Sequence, residues 1–346
     1  MKTNDYFLDR KIKTIMKIDE LLLSLPSFVA DYFVGIENNS SPLTRMNYAV
    51  DLRIFFDYVS VKYDVKIKDM NVKILDKIEA KDIEQFLSYL SSFDYNGKHH
   101  VCNEKAKARK LASIRSMYKY FFNRNIIIAN IAAKITTPKI HDKEIIRLEK
   151  DEVKELLYIA ETGKGLTEHQ LAYSKSTQTR DIALLTLFLG TGIRISELVG
   201  LNVDDFFFDN NSFIVTRKGG NRTILYFTEE VKEELLKWLE YRKNIKDLDK
   251  NEKALFLSLR NKRISVRAVE QLVKKYAKIV TPLKKITPHK LRSTFGTNLY
   301  RETGDIYVVA DYLGHKDINT TKRHYAAISD DIRKNAIKSV KLKEED

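Results

Sequence analysis

Residues 103–123 read NEKAKARKLASIRSMYKYFFN, and residues 135–147 read ITTPKIHDKEIIR. The first stretch carries basic residues in its first half and methionine and aromatic residues in its second, without helix breakers. It predicts a helix from about Asn103 to Asn123. Its first half holds Lys105, Lys107, Arg109 and Lys110, so a basic end faces solvent or phosphate while an apolar end packs. The second stretch breaks that periodicity with Thr-Thr-Pro and then turns charged. It reads as a linker between two domains.

The pattern extends outward in both directions. On the amino-terminal side, PLTRMNYAVDLRIFFDYVSVKY (42–63) repeats Leu43, Met46, Val50 and Ile54 at helical intervals, with Ser41 as cap and Pro42 at the first helical position. Another helix is predicted from Ala80 through Leu90. On the carboxyl-terminal side helical text resumes at Leu148. A polar stretch, Glu161 to Thr179, reads as a surface insertion ahead of a helix beginning near Arg180. One β signal interrupts: SFIVTRKGGNRTILYF has two β-branched runs around Gly219-Gly220, a hairpin with Lys218 at its tip. Helices continue to a basic amphipathic tail, Asp331 to Lys343, with Ile332, Ala336, Ile337 and Val340 at helical spacing. The fold class is mainly α, in two domains.

Composition narrows the partners. Lys and Arg number 61 against 47 acids, a formal net charge of +14 over 346 residues, which favours a polyanion because each neutralised phosphate releases counterions. The one cysteine, Cys102, excludes an intrachain disulfide framework and fits a reducing cytosol. No apolar run is long enough for a membrane span, and the first 26 residues lack the apolar core of a signal peptide. The expected location is cytoplasmic. His99, His100 and Cys102 cluster without a nearby fourth ligand, so a loop is expected there rather than a zinc site.

Three stretches hold unusual combinations. In GTGIRISELVGL, Arg194 and Glu197 sit three apart on one helical face. No Gly-Lys-Ser/Thr follows Gly190 and Gly192, which excludes a nucleotide-binding loop. In TPHKLRSTFGTNLY, Thr287 and Pro288 start a helix, placing His289 and Arg292 in its first turns, where outward backbone N–H groups suit a phosphate. In LGHKDINTTKRHYA, His315 follows a Leu-Gly turn and Tyr325 comes ten positions later.

Taken in order, Arg, hairpin Lys, His-x-x-Arg, Gly-His and Tyr resemble the tyrosine recombinase family, and most closely its Xer-type members. The resemblance covers nearly the whole chain. It implies a two-domain DNA clamp: a helical, SAM-like core-binding domain over residues 1–134, a linker over 135–147, and a mostly helical catalytic domain with a small β-hairpin over 148–346. It also implies site-specific DNA recombination through a covalent 3′-phosphotyrosine, as in chromosome dimer resolution. The catalytic residues it implies are Arg194 and Arg292 on the scissile phosphate, Lys218 as proton donor to the leaving 5′ oxygen, His289 at the tyrosine proton, His315 on a phosphate oxygen, and Tyr325 as nucleophile. Glu197 would support the arginine. Two positions depart from the pattern: many members place the tyrosine nine residues after the histidine, whereas position 324 here is a second histidine, and Ser293 stands where a histidine is common.

The residue types suit the chemistry. A phosphodiester transition state spreads negative charge over its oxygens, and arginines grip those oxygens bidentately at any working pH. A phenol near pKa 10 needs cations nearby to form phenolate cheaply. The reaction needs no metal or other cofactor, and the covalent link conserves the bond, so no ATP is needed. Expected DNA contacts are Lys105, Arg109 and Arg115 from the first domain and Arg217 and Arg267 from the second. The expected partners are a double-stranded DNA recombination site and three further copies of the chain on paired sites, the carboxyl-terminal helix docking on a neighbour; an accessory DNA translocase is left open. A mobile-element integrase shares the chemistry. A type IB topoisomerase and a non-catalytic DNA-binding factor are the remaining alternatives.

Overall fold

The computed structural model describes residues 5–140, 146–217, 219–314 and 318. Its elements are mostly helical, and the chain divides into two compact units, Met1–Lys143 and Glu144–Asp346.

The first unit is built on two long helices whose inward faces are apolar. Helix α1 (Asp5–Leu22) precedes the short α2 (Val29–Gly35) and then α3 (Pro42–Tyr63). Ser41 caps α3 as its side chain accepts the Thr44 N–H at 3.2 Å, with Pro42 at the first position. After the single turn α4 (Ile74–Lys77) come α5 (Ala80–Tyr89) and α6 (Glu104–Phe122), the latter capped by Asn103. Leu52, Phe55, Phe56 and Val59 of α3 and Leu111, Ile114, Met117 and Phe121 of α6 are all buried, at the three-and-four spacing that makes one stripe per helix. Each such side chain contributes about 1.5–3 kcal/mol by leaving water. Helix α1 was not anticipated: its outer face carries exposed Leu8, Ile12 and Met16, so its text lacks a clean apolar stripe, yet Ile18 is buried in this core.

Charge also ties this unit together. Asp51 of α3 is fully buried, and Lys110 Nζ and Arg109 Nη1 of α6 reach it at 2.8 and 2.5 Å. The stretch around His99 is a hairpin rather than a loop: β1 (Phe93–Tyr95) pairs antiparallel with β2 (Lys98–His100). Asn96 and Gly97 supply the left-handed turn (φ 51° and 70°). His99 Nδ1 lies 3.0 Å from Asp94.

The second unit surrounds one long helix. Helix α7 (Lys150–Thr162) ends at a left-handed Gly163, and α8 (Glu168–Thr191) follows. This corrects the expected surface insertion. Thr167 accepts the Gln170 N–H at 3.3 Å while the Gln170 side chain accepts from Thr167 N–H at 3.1 Å, so the helix starts at Glu168. Its first half is polar because it is largely exposed. Its second half is buried on all sides from Ala183 to Phe188, so no amphipathic stripe marks it. After α9 (Ile195–Gly200), strands β3 (Phe206–Phe207), β4 (Ser212–Thr216) and β5 (Arg222–Tyr226) form an antiparallel sheet in that order, Thr216 opposite Arg222. Helices α10 (Glu229–Lys243), α11 (Val266–Val280), α12 (Pro288–Thr303) and α13 (Ile306–Leu313) complete the described part. Buried Asp181 of α8 accepts from Arg180, Lys275 Nζ and Tyr276 Oη, the last two at 3.0 Å, which fixes α11 against α8. Among the described residues no helix is long and apolar enough to cross a membrane.

Candidate active site

Helix α8 ends in left-handed Gly192 (φ 57°), and the chain then turns so that extended Arg194 caps α9. Glu197, three residues on, is 2 % exposed. One of its oxygens accepts the Arg194 backbone N–H at 2.8 Å, and the other accepts Arg194 Nη1 at 2.8 Å. The i,i+3 pair is therefore a cap and an ion pair at once. From the sheet, Arg217 Nη1 reaches the same carboxylate at 3.2 Å.

Arg292 lies on α12, one turn after His289. Thr287 and Pro288 stand at the start of that helix as the sequence predicts, although the Thr287 side chain makes no capping hydrogen bond. His289 is exposed, whereas Arg292 is 4 % exposed and donates from Nη1 to the Gly192 carbonyl at 2.7 Å.

The three arginines meet the carboxyl end of α13. Arg217 donates to the Tyr312 carbonyl at 2.7 Å, Arg292 to the Leu313 carbonyl, and Arg194 to the Gly314 carbonyl at 3.0 Å. The last carbonyls of a helix have no partner within it and carry partial negative charge. Here three successive ones are satisfied by guanidinium N–H groups from three different elements. Among the described residues, Arg194 and Arg217 share the Glu197 carboxylate, and the helix end adds about half a negative charge. A half-buried cluster of cations is stabilised by anions that join it. The Arg194 side chain, 32 % exposed, is the arm of the cluster that faces solvent. This arrangement suits the binding of an oxyanion with spread charge.

Glycine is required where the chain crosses this cluster. A Cβ on Gly192 would lie 2.3 Å from the Phe295 ring, at a backbone angle that side chains rarely adopt. Gly192→Ala is expected to lose about 2–4 kcal/mol of stability, from left-handed strain plus overpacking. Urea unfolding checks this, and a loss under about 0.5 kcal/mol would show that Phe295 yields freely.

Lys218, His315 and Tyr325 lie outside the described residues. Of the basic residues expected on DNA, Lys105 and Arg267 are exposed, each near the start of its helix. Arg109 is exposed as well, with one arm on Asp51. Arg115 and Arg217 are turned inward instead. Arg115 donates to the Ala132 and Ile135 carbonyls and, at 2.7 Å, to Thr137. Arg217 has a side chain only 9 % exposed. Sequence reading missed this sharing of Glu197, because nothing near Arg217 in the chain signals an acid twenty residues back.

Tyr312 stands close by, and its hydroxyl donates to the Tyr226 carbonyl at 2.6 Å. Burial pushes this phenol up to about 12.

Comparison with known proteins identifies the family. The model of the phage integrase family matches residues 146–331. The tyrosine recombinase XerC of Caldanaerobacter subterraneus subsp. tengcongensis is 32% identical over 328 residues, covering 91% of this chain and 86% of that protein. The tyrosine recombinase XerS of Streptococcus agalactiae serotype III is 28% identical over 355 residues, covering 93% and 97%. Among solved structures, the XerH site-specific recombinase in a post-cleavage complex with its palindromic difH substrate superposes with a TM-score of 0.66 at 19% identity, over 86% of this chain and 80% of that one, a likeness of fold. With a matched family model over more than half its length and a relative 32% identical over 91% of the chain, this chain belongs to the phage integrase family of tyrosine recombinases.

Proposed function

We propose that this chain is a Xer-type recombinase that cuts and rejoins double-stranded DNA at a fixed site through Tyr325. The observation that carries the reading is the convergence of three guanidinium groups at the carboxyl end of α13. Arg194 and Arg217 share the Glu197 carboxylate, and Arg292 reaches the Gly192 and Leu313 carbonyls beside them. The scissile phosphate joins this cluster. Arg194 and Arg292 then hold its non-bridging oxygens, and His315, directly after Gly314, adds a hydrogen bond.

Tyr325 Oη attacks phosphorus, His289 takes the phenol proton, and the bond from phosphorus to the 5′ oxygen breaks as Lys218 donates a proton to that oxygen. The products are a 3′-phosphotyrosine and a 5′-hydroxyl. Rejoining reverses each transfer with the 5′-hydroxyl of a second strand, so the phosphodiester count is unchanged and no ATP is consumed. The unit Met1–Lys143 acts as the core-binding domain and Glu144–Asp346 as the catalytic domain, with Lys105 and Arg267 as exposed phosphate contacts. Four copies assemble on two DNA sites in the cytoplasm, the basic carboxyl-terminal segment, which lies outside the described residues, bridging neighbours. The XerH complex with its difH substrate, similar in fold, supports the DNA partner.

A nicked DNA substrate tests the reading. After cleavage the fragment beyond the nick diffuses away, leaving a covalent adduct visible on a denaturing gel. Adducts together with tetramers on paired sites are expected. Adducts formed by a monomer on any sequence would point to a topoisomerase, and binding without adducts to a non-catalytic factor. The ten-residue spacing from His315 to Tyr325 is also compatible with a mobile-element integrase, which shares this chemistry. Mapping the adducts on genomic DNA separates these, since an integrase is trapped at the ends of an element.

Tyr312 is the described tyrosine nearest this turn, and it serves as a control. Its hydroxyl is already committed to Tyr226, and its raised pKa disfavours phenolate. Tyr312→Phe should cost about 1 kcal/mol of stability for the lost hydrogen bond, and the adduct should still form. Thermal melting and the denaturing gel check the two parts. Loss of the adduct in a folded Tyr312→Phe protein would move the nucleophile.

A further inference from the structure

We infer that Arg217 is a positioning residue for the strand-transfer reaction, acting through Glu197 and the end of α13 rather than on DNA. The inference rests on the reading that Arg194 grips the scissile phosphate. Arg217 stands at the junction of three parts of the site. Its backbone closes the hairpin, with its N–H donating to the Asn221 carbonyl at 2.7 Å and its carbonyl accepting the Gly220 N–H at 3.0 Å. Its guanidinium shares the Glu197 carboxylate with Arg194 and holds the Tyr312 carbonyl. It also lies flat against Gly314, where a Cβ would come within 3.2 Å of Arg217 Cζ.

The consequence follows from geometry. Glu197 receives Arg194 Nη1 on one oxygen and Arg217 Nη1 on the other, so the carboxylate is held from two sides and the Arg194 fork with it. The Gly314 carbonyl in turn takes Arg194 Nη2. Arg217 therefore fixes both anchors of Arg194: the carboxylate directly, and Gly314 through the Tyr312 carbonyl two residues earlier. A guanidinium with a 9 % exposed side chain, both Nη atoms engaged, is poorly placed to reach a duplex. Lysine cannot span both acceptors, because its ammonium is a single point rather than a fork.

The test compares Arg217→Gln, Arg217→Lys, Glu197→Gln and the double variant Glu197→Gln/Arg217→Gln with the parent chain. Single-turnover cleavage of the nicked substrate is measured at saturating protein, alongside duplex affinity across a salt series. Arg217→Gln should cleave about 10- to 100-fold slower at saturation, as outer-shell losses do, with affinity and salt slope unchanged. Arg217→Lys should recover part of the rate. The double variant should be no slower than the slower single one, since both changes remove the same support. A fall of about one unit in the salt slope, with the saturating rate intact, would make Arg217 a phosphate contact and overturn the inference. So would additive losses in the double variant, or a parent-like rate in Arg217→Gln. If Arg217→Gln does not fold, Arg217→Lys decides by the same criteria. A parent chain that binds DNA and never forms an adduct defeats the recombinase reading, and the salt slope then still decides whether Arg217 touches phosphate.

Discussion

Tyr325→Phe is expected to bind duplex DNA with about the affinity of the parent chain and to form no covalent adduct with it. The substitution removes one oxygen atom. Affinity for DNA comes mostly from phosphate contacts by lysine and arginine, which this change leaves alone. The reaction, by contrast, has no other route. The 3′-phosphate can be stored only on a side-chain oxygen that attacks in line, and loss of a nucleophile costs on the order of 10⁶-fold where it has been separated from binding. The nearby Tyr312 does not substitute, because its hydroxyl donates to the Tyr226 carbonyl and burial raises its pKa to about 12. Filter binding and a denaturing gel on the same samples check both halves. An adduct formed by Tyr325→Phe would end the assignment of the nucleophile.

The second large effect belongs to Arg292. Its side chain is buried and bridges the Gly192 carbonyl at the end of α8 and the Leu313 carbonyl at the end of α13. Arg292→Ala leaves both carbonyls without that donor and removes a cation from the proposed phosphate site. Each orphaned buried acceptor costs about 1–3 kcal/mol, so a total loss of about 2–5 kcal/mol is expected in urea unfolding. Cleavage should fall by about 10³-fold or more, the scale seen when a transition-state donor is lost. Arg292→Lys should be nearly as slow. Its ammonium carries the charge, but it cannot reach two carbonyls on different helices and a phosphate oxygen together. A lysine variant that cleaves within about tenfold of the parent would mean that charge alone suffices and the fork geometry is incidental.

How much of this was legible in the sequence depended on the range of the interactions involved. The starts of α3 and α12 were readable because Ser41-Pro42 and Thr287-Pro288 act on backbone groups within one turn. The Gly219-Gly220 hairpin was readable for the same reason, both glycines adopting positive φ. The polar first half of α8 hid its start, since an exposed helix and a surface loop draw on the same residues. The β1–β2 hairpin was hidden as well, its strands being three residues long and largely exposed.

By itself, then, the sequence determined the helical class, the starts of several helices with the Gly219-Gly220 hairpin, and the set of residue types able to handle a phosphodiester. Those rest on local backbone preferences and on side-chain chemistry, both of which travel with the residue. Only the tertiary structure decided which basic side chains are spent inside the protein. Arg194 finds the Gly314 carbonyl 120 residues away, Arg292 finds Gly192 at 100, and Arg217 finds Tyr312 at 95. A guanidinium looks the same in the chain whether it will face solvent or a buried carbonyl. Its partner is fixed by the packing of helices far apart in sequence, and that packing separates exposed Lys105 and Arg267 from inward-turned Arg115 and Arg217.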